Sequence, residues 1–160
     1  MNKKTAYLIS TLFGAGYFPK APGTFGSLVS LPIIFVVCYG FGFIGLLATV
    51  IIAFVIAMPA VKKVLTYTEH DPSFIVIDEF VGQSVTFLPV AVILQKNISL
   101  NSFILYVTGF VLFRFFDVIK PYPVSYADQK IKNAFGVILD DIFAGIYSAI
   151  ILKIFTVLVF

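Results

Sequence analysis

The chain has 160 residues, of which 60% are hydrophobic and 12% charged, and its mean hydropathy is +1.05. Soluble domains lie nearer half apolar and a quarter charged, so the composition excludes an ordinary soluble domain and describes one compact membrane domain, residues 1–160. The net charge of +3 comes from basic residues that are not gathered into one stripe, which argues against nucleic-acid binding and fits contact with anionic lipid headgroups.

The start, Met1-Asn2-Lys3-Lys4 followed by apolar residues, mimics a secretory signal. Gly14, Gly16, Pro19 and Pro22 interrupt it, and it reads as a retained cytoplasmic N-terminus. The apolar segments then follow in order. Ser27 to Tyr39 is short and contains Pro32. Gly40, Gly42 and Gly45 mark a turn, and Phe41 to Val61 is long enough to span, since a span takes about 20 residues. Phe74 to Leu94 is apolar apart from Asp78, Glu79 and a few neutral polar residues. Phe103 to Ile119 carries Arg114 and Asp117 near its end. Ile142 to Phe160 is broken only by Lys153 and small polar residues. Spanning segments are helices or closed barrels, and no alternation of period two is present. The expected fold is therefore an all-α integral membrane bundle of about four to five hydrophobic helices.

Positive charge sets the expected orientation. If the first two segments form a hairpin, Lys3, Lys4, Lys20, Lys62, Lys63, Lys120, Lys130 and Lys132 share one side, the cytoplasm. Lys96 lies elsewhere, and Lys153 can snorkel. All eight acidic residues fall between Glu69 and Asp141, and the same directions bring them to the cytoplasmic face. Asp78 and Glu79 enter the third segment, Asp117 leaves the fourth, and Asp140 and Asp141 enter the fifth. Glu69, Asp71 and Asp128 lie in connections.

Ionisable groups at membrane depth are costly and mark function. On a helix, neighbouring residues point about 100° apart, so at least one acid of each pair faces the bundle interior. Converging carboxylates repel unless a cation shares them, and oxygen-only ligands suit a hard divalent ion such as Mg²⁺ or Mn²⁺. The alternative is that the acids form structural ion pairs or cap helix starts, for which Asp140 and Asp141 are well placed. A single histidine and a single cysteine do not suit zinc. Arg114 and Asp117 are spaced to pair on one helix face, and Lys120 sits in Lys-Pro-Tyr-Pro. Cations beside acids suggest a phosphate ligand. The loop from Phe18 to Ser27 offers Lys20, Gly23, Thr24, Gly26 and Ser27 ahead of a helix, where an anion can bind.

Other chemistries find no support. Cys38 lies in an apolar run without a following arginine and reads as a buried small hydrophobe. His70 reads as a solvated turn residue rather than part of a triad. Ala144, Gly145, Ser148 and Ala149 have the small-residue spacing that lets helices approach closely. A cation transporter would also place acids in apolar helices, but nearer the bilayer midplane. A lipid-binding subunit would need the basic groups without the acids.

Four ordered blocks, KAPGTFGS, IDEFVGQ, FRFFDVIKPYPVSYAD and GVILDDIFAG, resemble those of bacterial phosphatidylglycerophosphatase A across roughly Gly14 to Gly145. The resemblance implies an all-helical, Mg²⁺-dependent enzyme of the bacterial inner membrane with its site facing the cytoplasm. Its implied substrate is phosphatidylglycerol phosphate, whose terminal phosphate is removed in phospholipid synthesis. Asp78, Glu79, Asp117, Asp140 and Asp141 would then be the metal ligands, with Arg114 and Lys120 beside them in catalysis. Lys20, Gly23, Thr24, Gly26, Ser27 and Asp128 would contact substrate. No obligate protein partner is inferred.

Overall fold

A computed structural model describes residues 1–68 and 72–159, and these are helices and connections, with no strand among the described residues. The connection residues Glu69, His70 and Asp71 lie outside the described residues. In chain order the helices are α1 (Lys3–Ser10), α2 (Pro22–Val64), α3 (Ile77–Phe87), α4 (Ala91–Leu94), α5 (Leu100–Ile119), α6 (Val124–Lys130) and α7 (Ala134–Val159).

Helix α2 is 43 residues long and is folded back on itself at Gly42, whose φ of 58° and ψ of −143° are non-helical. Ile33 on the first arm and Ile52 on the second line one cavity, as an antiparallel hairpin requires. The first apolar segment is therefore longer than its sequence suggests. It starts at Pro22, and Pro32 sits inside the helix rather than interrupting it. Spanning helices tolerate proline where neighbours satisfy the freed backbone groups. Pro22 occupies the first turn, where its missing N–H costs nothing. The Gly42 conformation is nearly reserved for glycine, so Gly42→Ala is expected to destabilise the protein by about 1–3 kcal/mol. The check is the thermal midpoint in detergent, with Gly40→Ala as a matched control.

Four helices or helical runs are long and apolar enough to cross a membrane: Pro22–Val64, Ile77–Leu94, Leu100–Ile119 and Ala134–Val159. In the second of these 78% of the residues are buried inside the protein, against 22–28% in the other three. So α3 is the central helix, wrapped by α2, α5 and α7, while the outer helices present Ile44, Ile52, Val111, Ile150 and Leu158 to the surroundings. A surface this apolar belongs in lipid. Every residue of α3 is buried, including Gln83, Ser84 and Thr86. These polar groups bond within the bundle: Ser84 donates to the Phe80 carbonyl at 2.7 Å and Gln83 donates to the Gly109 carbonyl at 3.4 Å.

The fifth apolar segment also starts earlier than expected. Helix α7 begins at Ala134, and the Asn133 carboxamide accepts from the backbone N–H groups of Phe135 at 2.9 Å and Gly136 at 3.2 Å. Asp140 and Asp141 thus lie well inside α7, and Asn133, not an acid, caps it. The apolar tally missed this start because Gly136 and the two acids dilute the first turns.

Candidate active site

Helices α3 and α7 cross where neither has a side chain to separate them. A Cβ built on Gly145 would strike the backbone carbonyl of Gly82, and one on Gly82 would strike that of Asp141. This backbone contact sets Asp78 and Glu79 against Asp140 and Asp141. All four are buried, with residue exposures of 4–8%. Each first member of a pair accepts the backbone N–H of the second: Glu79 N to Asp78 Oδ1 and Asp141 N to Asp140 Oδ1, both at 3.0 Å.

The last turns of α5 add the cations. Arg114 donates through Nη1 to Glu79 Oε2 at 2.5 Å, to Asp117 Oδ2 at 2.8 Å and to Ser27 Oγ at 3.3 Å. Ser27 in turn donates to Glu79 Oε2 at 2.7 Å. Lys120 ends α5 in a left-handed conformation, φ 48°, that turns its side chain back to Asp128 Oδ1 at 2.6 Å and Asp140 Oδ2 at 2.9 Å. Burial by itself would lower the Lys120 pKa. The charge of Asp140 and the hydrogen bonds to Asp128 and Asp140 outweigh burial and hold it above the usual lysine range, so the ammonium stays charged.

These groups line a cleft of about 310 Å³ whose walls include Pro22, Gly23, Asp78, Glu79, Asp117, Lys120, Asp140 and Asp141. Five carboxylates against Arg114 and Lys120 leave an excess of negative charge. Oxygens of Glu79, Asp117 and Asp141 lie within 4.8 Å of one another, a set that could hold a metal ion. Opposite ligands of an octahedral ion at about 2.1 Å are about 4.2 Å apart, so this all-oxygen set fits a hard divalent cation after a small inward shift. The start of α2 contributes Pro22 and Gly23 to the same cleft wall, so the positive end of its dipole lies beside the acids.

The expected substrate contacts divide. Gly23 is in the cleft wall, Ser27 reaches it through Glu79, and Asp128 through Lys120. Lys20 and Thr24 are exposed and are not among the cleft walls, and Gly26 packs against the side chain of Val76 instead. Sequence reasoning did not single out Ser73, Ile75 or Val118, which also line the cleft. Nothing in their residue types marks them, and only the fold brings them there. Of the positive residues assigned to one side, Lys120 is in the cleft wall, Lys62 and Lys132 line another cavity, and Lys3 and Lys63 both lie over the Tyr67 ring. Lys96, whose backbone N–H donates to the Tyr39 carbonyl, lies by the Gly42 turn instead.

An apolar helical bundle with a buried acidic, cation-flanked cleft at one end marks a membrane protein with a charged site, and comparison with known proteins says which. The chain matches the phosphatidylglycerophosphatase A family over residues 8–156 and belongs to that family of phosphatases. It is 37% identical over 148 residues to phosphatidylglycerophosphatase A of Haemophilus influenzae, covering 91% of this chain and 85% of that one. It is 30% identical over 150 residues to the Escherichia coli protein of the same name, covering 91% and 80%. It is also 33% identical over 151 residues, covering 92% and 91%, to a Bacteroides thetaiotaomicron protein provisionally named a phosphatidylinositol-3-phosphatase. No solved structure matches the chain.

Proposed function

We propose that the protein is a Mg²⁺-dependent hydrolase that removes the terminal phosphate of phosphatidylglycerol phosphate, yielding phosphatidylglycerol for glycerophospholipid synthesis. The observation that carries this reading is the convergence of five acids, Arg114 and Lys120 on one cleft at the end of an apolar bundle. The cleft takes the phosphomonoester at headgroup level, while the acyl chains stay beside the helices. The lysine distribution supports a cleft that faces the cytoplasm from the bacterial inner membrane. Among the acids, Glu79, Asp117 and Asp141 would hold the ion, with Asp78 and Asp140 flanking them. When bound, Mg²⁺ would neutralise phosphoryl oxygens and lower the pKa of water.

The protein's own groups do the remaining work. Arg114 and Lys120 stabilise charge on the transferring phosphoryl group, and the N–H group of Gly23 adds a backbone donor. A carboxylate outside the metal set accepts the proton of the attacking water. The water oxygen bonds to phosphorus as the ester P–O bond breaks, and the same carboxyl returns the proton to the leaving oxygen, so the lipid departs as an alcohol. A transporter would need acids along a path through the bundle, and these acids share one end.

The test is phosphate release by purified protein from phosphatidylglycerol phosphate in mixed micelles, with Mg²⁺ and after chelation. Release that needs Mg²⁺ is expected, with phosphatidylinositol 3-phosphate a poorer substrate. Equal release in chelator would refute the metal, and a preference for the inositol lipid would refute the substrate.

A further inference from the structure

The first arm of α2 and helix α5 run antiparallel in a register fixed by two contacts. Ser27 meets Arg114 at 3.3 Å, and the rings of Phe35 and Tyr106 lie 5.8 Å apart. Eight residues separate the contacts on each helix, about 12 Å at 1.5 Å per residue. One step of four residues above the first contact, Gly23 and Val118 are both walls of the acidic cleft. Below it the same seam opens into a groove of about 370 Å³ lined by Leu28, Leu31, Pro32, Phe35, Phe103, Tyr106 and Val107. The lining is apolar throughout, and Leu28, Phe103 and Val107 are exposed at its lip, as are Val111 and Val118 along the same side of α5.

We propose that this α2/α5 groove is the subsite for one acyl chain of the lipid phosphomonoester. The inference rests on the reading of the cleft as a lipid phosphatase site. The two helices that wall the cleft continue as the walls of the groove. Polar character ends at the Ser27–Arg114 contact. A phosphate held beside Arg114 therefore sends its glycerol and chain down this seam, and Phe35, Phe103 and Tyr106 line the end farthest from the cleft. A larger apolar cavity, about 420 Å³, lies between α1 and the arms of α2. It has no wall from α5, and it meets α3 through Ile77 and Phe80, not through the acids.

Leu31→Trp and Val107→Trp fill the groove without touching the cleft. Each is expected to lower kcat/KM for a long-chain lipid phosphomonoester at least tenfold, through KM. Hydrolysis of the deacylated headgroup phosphate should be unchanged, and Ile52→Trp, in the other cavity, should affect neither substrate. Equal losses on both substrates, or no loss, would overturn the proposal. A second measurement needs no variant: the native protein is photolabelled with a lipid phosphomonoester carrying a mid-chain diazirine. Label within residues 28–35 and 103–107 supports the groove, and label within 49–56 overturns it. If the native protein releases no phosphate, the phosphatase reading fails by itself, and the label still decides where the chain lies.

Discussion

Asp141→Asn is expected to lower Mg²⁺-dependent phosphate release by about three orders of magnitude, roughly 4 kcal/mol at 1.36 kcal/mol per tenfold. Asp141 is 4% exposed and shares the oxygen cluster with Glu79 and Asp117. The amide keeps the shape of the side chain but removes a charge and replaces an acceptor with a donor. Removing one of several like charges relieves repulsion, so the thermal midpoint should hold steady or rise without metal. That pairing of lost activity with retained stability separates a metal ligand from a structural ion pair. Loss of a structural pair partner would destabilise by several kcal/mol. The measurements are phosphate release against Mg²⁺ concentration and thermal unfolding in detergent. A variant that keeps more than a tenth of native activity at saturating Mg²⁺ would sink the assignment.

The second large effect is steric. Alanine at Gly82 or Gly145 places a methyl group against the facing backbone carbonyl of Asp141 or Gly82. Backbone cannot rotate away as a side chain can, so α3 and α7 must separate. Overpacking of this kind costs about 1–3 kcal/mol. The functional cost is larger, since a displacement near 1 Å can lower a rate about 100-fold. Both variants should therefore lose activity at least 100-fold while remaining helical. Gly40→Ala has nothing within 4 Å of its new methyl and should be silent in activity. Full activity in Gly82→Ala would show that the crossing does not position the acids.

Much of this site was legible because charge in an apolar segment is expensive, and chains place it there for few reasons. Asp78, Glu79, Arg114, Asp117, Lys120, Asp140 and Asp141 stand out against their neighbours, and the structure brings six of them into one cleft wall with Arg114 paired to Glu79 and Asp117 beside it. The loop was less legible. Its glycines and hydroxyls have uses that local sequence does not separate. Gly23 lies in the cleft wall, Gly26 serves a tight contact with Val76, and Thr24 faces outward. Helix ends were misjudged for a related reason. Pro32 and the Asp140–Asp141 pair look like boundaries in an apolar tally, yet both lie inside helices.

Residue types and their order are enough to mark a helical membrane protein, to bring the acids of its apolar segments to segment ends on one side, and to show blocks that resemble one phosphatase family. Composition and segment direction suffice for the first two, since lipid forbids unsatisfied backbone and charge is costly at depth. That α3 is the central helix, that Gly82 and Gly145 let it touch α7, and that Ser27 and Arg114 orient Glu79 emerge only in the folded chain. Those are contacts between residues far apart in the chain. They depend on how closely two backbones approach, a quantity no local pattern of residue types contains.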